Sequence, residues 1–273
     1  MFDILDETVS KGLEKQDLSD VHTIFIDEIQ STHGHNYITM VADQNHRMIA
    51  GVEGHDTKSV DDVKNWLKSK GCEPSQIKFV SADMSTAYKS GVDSCFPNAK
   101  IIYDHFHVVK SVNEVVDKVR KRTLRELSEE TKNGLKHIKH TVLYRKINQN
   151  DKHRERMEKI RLLNPELASA FDLKEEFFGI FEKHNRTTAR SAFFSWYNRV
   201  RGSKIPEMVA VSKRMLKRLN DILRWFDHKV SNAVAEGLNS AYKKIKSAAC
   251  GYKEPQNLID MCLFRKGRLN VSI

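Results

Sequence analysis

Three runs rich in apolar and β-branched residues open the folded part of the chain. HTIFIDEI (His22 to Ile29), NYITMVADQ (Asn36 to Gln44) and RMIAGVEG (Arg47 to Gly54) read as strands, and the turn-like Gln44-Asn45-His46 joins the last two into a meander. The period then changes. SVDDVKNWLKSKG puts Val60, Val63, Trp66 and Leu67 on one face, with Ser59 as N-cap and Gly71 as stop, so a helix is predicted there. IKFVSADM (Ile77–Met84) predicts a fourth strand, Thr86 to Cys95 a short helix, and AKIIYDHFHVV (Ala99–Val109) a fifth strand. Residues 7–18 read as a short polar helix ahead of them all. The order is β-β-β-α-β-α-β.

From Ser111 onward apolar residues recur three and four apart, as in VNEVVDKVRKRTLRELSEE and ELASAFDLKEEFFGIFEK, which predicts helix after helix. Pro165 and Pro206 mark helix starts, and Gly251 with Pro255 breaks the chain after SNAVAEGLNSAYKKIKSAAC. The expected organisation is a linker helix (1–20), the first part of an α/β core (21–110), an all-α insertion (111–228), and a returning helix with a C-terminal segment (229–273). An antiparallel meander followed by αβαβ is the RNase H-like layout, with a mixed five-stranded sheet.

At 273 residues and 40% hydrophobic content the chain can bury a substantial core. It has no run of eighteen apolar residues, and its first residues lack the basic-then-apolar plan of a secretory signal, so a cytoplasmic protein with no membrane partner is expected. Cys72, Cys95, Cys250 and Cys262 form no CxxC pair and read as reduced thiols. The net charge of +10 hides a division: residues 1–100 hold 10 Lys+Arg against 16 Asp+Glu, and residues 101–273 hold 36 against 20. A basic half suits a polyanion, and isolated carboxylates in an acidic half suit divalent metal. No GxxxxGK[ST] loop exists, so no nucleotide is expected as a partner.

Phosphodiester chemistry on such a layout is run by two metal ions held between carboxylates, so the placement of acids is the test. Asp27 follows TIFI late in the first strand, where an aspartate is a poor strand former and costly to bury without a cation. Glu28 beside it points to the other face. Asp83 ends the fourth strand, adjacent to the first in this layout. Glu236 lies on a helical stripe with Asn232, Asn239, Lys243 and Lys246, offering a carboxylate beside groups that can position phosphate. Asp104, ending the fifth strand, is its rival. His105 and His107 would share a strand face there, and Asp104 and His107 are candidates to orient metal ligands from behind. Lys118, Arg120, Lys121, Arg122 and Arg125 form a basic cluster that a solvated helix explains, as would a DNA backbone track; Lys118, Arg120 and Arg122 are the DNA contacts expected there, with Asn232, Asn239, Lys243 and Lys246 on the later helix. Trp196, Tyr197 and Trp225, interleaved with arginines, fit a packed core better than a base-stacking platform.

The succession IDE, SADMSTAY, FPNAKIIYDHFHVVK and VSNAVAEGLNSAYKKIK followed by GY resembles the DDE domain of bacterial insertion-sequence transposases of the ISL-three type, over about Thr23 to Phe264. The resemblance implies a catalytic triad of Asp27, Asp83 and Glu236, two Mg²⁺ ions for which Mn²⁺ can substitute, cleavage at the ends of a mobile element, and joining of the freed 3′-hydroxyl to target DNA. It also implies a homo-oligomer in the active complex. Two departures stand out. Family members generally begin with a cysteine-rich zinc ribbon and a helix-turn-helix, whereas this chain starts about two dozen residues before its first catalytic strand, so the expectation is a fragment or a partner domain elsewhere. Ser247 stands where the family usually has Arg, at a place of expected phosphate or hairpin contact. The rival readings are a structure-specific nuclease that cuts without joining, and a non-catalytic DNA-binding remnant.

Overall fold

The structure, a computed structural model, describes residues 2–30, 37–228, 232–249, 252 and 254–270. The expected strand start at Asn36 and helix break at Gly251 lie outside them. Along the chain run α1 (Phe2–Glu14), β1 (Thr23–Gln30), β2 (Tyr37–Asp43), β3 (Met48–Glu53), α2 (Thr57–Ser69), β4 (Phe79–Ala82), α3 (Thr86–Cys95) and β5 (Lys100–Tyr103). Eight helices follow: α4 (His105–Glu126), α5 (Glu129–Gly134), α6 (Lys139–Leu143), α7 (Asp151–Leu163), α8 (Pro165–Phe181), α9 (Arg186–Ser203), α10 (Pro206–Lys217) and α11 (Leu219–His228). Then come α12 (Asn232–Ala248) and α13 (Pro255–Lys266). Two compact units result, one of residues 1–104 with 230–273 and one of residues 105–229.

The first unit is built on a mixed five-stranded sheet in the order β3-β2-β1-β4-β5. β1 pairs antiparallel with β2 and parallel with β4; β2–β3 is antiparallel and β4–β5 parallel. The two parallel steps need crossovers, supplied by α2 and α3. α2 begins earlier than Ser59: Asp56 is its N-cap, accepting from the Ser59 N–H at 3.0 Å, while the Ser59 hydroxyl accepts from the Asp56 N–H at 3.3 Å. Ser59 is thus the third residue of a capping box. Gly91 of α3 is pressed against Val60 of α2, where an added Cβ would come within 2.7 Å of the Val60 Cβ. The opposite face buries Phe25, Ile38, Met40, Ala42 and Met48 against Val9 of α1, Tyr242 and Ile245 of α12 and Leu258, Ile259, Cys262 and Leu263 of α13.

Two expectations are corrected. The first helix covers Phe2–Glu14 rather than 7–18; beyond it Asp17 accepts from the Ser19 N–H at 2.9 Å in a turn. The fifth strand stops at Tyr103, and residues 105–109, expected as strand, open α4. Tertiary packing overrides the local β-branched bias: Val108, Val112, Val115, Val116 and Val119 are buried at three- and four-residue intervals, a period only a helix provides. The helical segment therefore starts at His105, not Ser111.

The second unit packs α4 against α8 and α10, with Phe171, Phe177, Phe193 and Trp196 buried at its centre. The Trp196 indole donates to the Leu173 carbonyl at 2.8 Å, so this tryptophan is core. Lys174 is fully buried. Its ammonium donates to the carbonyls of Val142 (2.8 Å) and Tyr144 (2.9 Å) at the end of α6 and lies 4.3 Å over the Phe171 ring. Arg122 of α4 binds Glu166 of α8 at 2.5 Å and Glu207 of α10 at 2.7 Å, tying three helices. Among the described residues no helix is long and apolar enough to cross a membrane.

Gly51 of β3 lies under α13, where an added Cβ would meet Ile259 Cγ2 at 2.7 Å and Met40 Sδ at 2.8 Å. Gly51→Val is therefore expected to cost about 1–3 kcal/mol by overpacking, read as a lowered midpoint in urea unfolding; an unchanged midpoint would show that α13 has room to shift. Burial, only partly offset by Glu175, pushes the Lys174 ammonium down from its ordinary 10.5 to about 8. Between those values the unfolded chain holds a proton the native chain has released, so this group makes stability rise with pH. Native stability relative to Lys174→Met should accordingly grow from pH 7.5 to 10, and a pH-independent difference would refute the assignment.

Candidate active site

The parallel pairing of β1 with β4 aligns Thr23 with Phe79, Ile24 with Val80 and Phe25 with Ser81. Continued two residues, that register sets Asp27 beside Asp83, which directly follows the last residue of β4, on strands about 4.8 Å apart. Asp27 is paired across to Met40 and thus faces α12 and α13, whereas Glu28 pairs with Thr39 and faces the opposite side, where the Thr39 hydroxyl meets the Tyr88 phenol at 3.1 Å. Both aspartates are half-buried. Asp27 Oδ1 accepts from the Glu28 N–H at 2.9 Å and its Oδ2 is shielded from solvent; Asp83 Oδ1 accepts from the Met84 N–H.

Asp104 continues the row. β4 and β5 align Ala82 with Tyr103, and the Asp104 N–H donates to the Ala82 carbonyl at 3.0 Å, so Asp104 sits beside Asp83 and one strand farther from Asp27. Its side chain is buried, at 9% exposure. His107 is in the first turn of α4, in the other compact unit, and the shared strand face expected for His105 and His107 does not exist. Two residues apart on a helix, they point about 200° apart. The His105 ring packs on Phe181 at 4.3 Å and Trp225 at 5.5 Å, and burial, with Arg145 nearby, pushes its pKa down to about 4. It is a neutral core group at neutral pH.

α12 crosses the sheet on the Asp27 side. Tyr242 and Ile245 are buried, Lys243 and Lys244 are exposed, and the Lys246 ammonium donates to the Gln30 carbonyl at 2.6 Å. That bond ties α12 to the strand carrying Asp27. The sequence places Lys246 among the expected DNA contacts; its carbonyl partner lies 216 positions away, and no local pattern announces it. Burial, with a contribution from the Asp27 charge, holds the Tyr242 phenol far above its usual range, so it stays protonated. Asn232, Glu236 and Asn239 belong to the same helix, but their side chains lie outside the described residues. Among the described residues, which exclude the Glu236 side chain, no three His, Cys, Asp or Glu gather as a metal-holding group.

The basic cluster of α4 divides into two kinds. Arg120 and Lys121 both pair with Asp117, at 2.8 and 2.9 Å, and Arg122 is held by Glu166 and Glu207, whereas Lys118 is exposed. The partners of Arg122 lie 44 and 85 positions away, beyond the reach of any sequence window.

A family model described as "Transposase" matches residues 24–262. The chain is similar to the transposase for insertion sequence element IS1001 of Bordetella parapertussis, 27% identical over 249 residues, covering 90% of this chain and 61% of that protein. It is also similar to the transposase for insertion sequence element IS1557 of Mycobacterium tuberculosis (strain CDC 1551 / Oshkosh), 23% identical over 270 residues, covering 90% and 60%. The chain thus spans about three fifths of the length of these curated relatives.

Proposed function

The chain belongs to the ISL-three-type DDE transposases of insertion sequences, and on that premise we propose that its first unit is an RNase H-like catalytic core that cleaves DNA at the ends of an element and joins them to a target. The observation that carries the reading is the β1–β4 register, which aligns Asp27 with Asp83 on the face crossed by α12. The antiparallel β3-β2-β1 meander continued by parallel β4 and β5 supports the RNase H-like assignment.

Divalent metal fits these residues. Two hard carboxylates stand on adjacent strands, and one oxygen of Asp27 is withdrawn from water, as suits a ligand for Mg²⁺ or Mn²⁺. In this proposal Asp27 and Asp83 hold two ions together with Glu236, two turns before Lys243 on α12. When bound, such ions activate a water or 3′-hydroxyl and stabilise the leaving oxygen of the phosphodiester. The chain's own part is placement. Lys246 fixes α12 on β1 through the Gln30 carbonyl, and Tyr242 remains a neutral phenol near the Asp27 charge. Asp104, aligned with Asp83, orients that aspartate from behind. Asn232, Asn239 and Lys243 would approach the phosphates of the bound strand, and a homo-oligomer would bring the two element ends together.

Asp27→Asn and Asp83→Asn should each abolish cleavage and weaken Mn²⁺ binding in calorimetry while leaving the circular dichroism spectrum intact. Wild-type Mn²⁺ binding by Asp27→Asn would remove the site. Glu236→Gln should lower cleavage and strand transfer by orders of magnitude and Asp104→Asn by about 10–100-fold, the usual cost of losing a group that orients a metal ligand. Near-normal activity of Glu236→Gln beside a dead Asp104→Asn would exchange the two roles. Cleavage without joining, in a strand-transfer assay, would reduce the activity to that of a nuclease.

A further inference from the structure

We propose that the seam between α4 and α10 in the helical unit is a track for the phosphate backbone of duplex DNA, with Lys118 and Arg214 on its two banks. The proposal rests on the transposase reading for its ligand and on the helical unit for its geometry.

α4 and α10 pack against each other, and two contacts give them an antiparallel course. Arg122, late in α4, meets Glu207 at the start of α10, while the chain emerging from α10 into α11 comes back to the start of α4, where Trp225 lies 5.5 Å from His105. The Arg122–Glu207 pair therefore marks which sides of the two helices face each other. Lys118 is four residues before Arg122 and lies on the same side of α4, about 6 Å back along the axis. Arg214 is seven residues after Glu207, on the same side of α10, and the antiparallel course takes it about 10 Å in that same direction. The two cations thus flank the seam at heights that differ by about 4 Å.

Neither is spent on packing, in contrast to the arginines that tie the helices of the unit together. Among the described residues, Arg122, Arg145, Arg161, Arg186 and Arg199 are each paired with a carboxylate, whereas Lys118 and Arg214 are exposed and have none. Lys213 and Lys217, on the outward face of α10 opposite buried Met208, Val211 and Met215, are likewise exposed and unpaired. The only carboxylate of α10, Glu207, is occupied by Arg122. Such a row of uncompensated cations repels itself, and a polyanion relieves that repulsion with release of its counterions. Charge complementarity, taken with the transposase reading, identifies that polyanion as a nucleic-acid backbone. Phosphate contacts of this kind position the duplex without reading sequence.

The test is the salt dependence of binding of the full chain to a 20-base-pair duplex of arbitrary sequence, read by fluorescence anisotropy. Each phosphate contact contributes about 0.9 to the slope of log affinity against log salt concentration, so the double variant Lys118→Gln/Arg214→Gln should have a slope shallower by about 1.8. A control variant of the same net charge, Lys152→Gln/Lys159→Gln on α7, away from the seam and on a helix that also exposes Asp151, Glu155 and Glu158, should keep the wild-type slope. Equal slopes for wild type and the Lys118/Arg214 variant, or equal losses in that variant and the control, would overturn the track. If the wild-type chain bound no duplex at all, the transposase reading would fall and the track with it.

Discussion

The parallel pairing of β1 with β4 is the constraint on which the candidate site depends. An aspartate in either strand alone is a charged residue at the end of an apolar run, with no better use than capping a turn. Joined in register, the two strands bring Asp27 and Asp83 to one height on one face, and the same face accepts α12 through Phe25, Tyr242 and Ile245. A slip of one residue would turn one of the acids to the side of Tyr88 and α2. The hydrophobic core that sets the register thus also aims the carboxylates. The Lys246 bond to Gln30 extends that control to the returning helix.

The helical unit uses charge differently. Its interior contains a lysine, Lys174, whose burial is tolerable because the carbonyls ending α6 and the faces of Phe171 and Phe178 surround the ammonium. Its helices are cross-tied by Arg122 to two glutamates and by Arg161 to Asp172. Positive charges that tie helices together are matched by carboxylates, and among the described cations without such a partner are Lys118 of α4 and Lys213, Arg214 and Lys217 of α10. A net positive charge for this part of the chain says little by itself; the division between matched and unmatched cations says which of them are available to a ligand.

Much of the sheet was legible in the residues because its signals are local. TIFIDEI, YITMVAD and MIAGVE carry strand periods, and a meander followed by two crossovers leaves few ways to order five strands. The acids at strand ends were legible for the same reason. What escaped was decided by distant partners. The residues after Tyr103 look like more strand until Val108 to Val119 are seen as the buried stripe of a 22-residue helix. Arg120 and Arg122 read as DNA ligands, and nothing local announces that Asp117, Glu166 and Glu207 surround them. Lys246 looked like a phosphate contact, and its partner is a backbone carbonyl on the first strand.

The sheet-bearing unit is discontinuous: residues 105–229 separate its sheet from α12 and α13. During synthesis α1 and the strands emerge first, and the face formed by Phe25, Ile38, Met40, Ala42 and Met48 lacks α12 and α13 until those 125 residues have followed. At about 5–20 residues per second that wait lasts on the order of 6–25 s, long compared with hydrophobic collapse. The intervening helices, whose contacts are closer in sequence, can fold within it, bringing the two halves of the interrupted unit nearer than a random coil of that length would. The nascent chain therefore passes through an interval in which one face of its sheet is open and sticky. Closure of that face and arrival of the helix that carries Glu236 are thereby coupled, both waiting on the docking of α12 and α13.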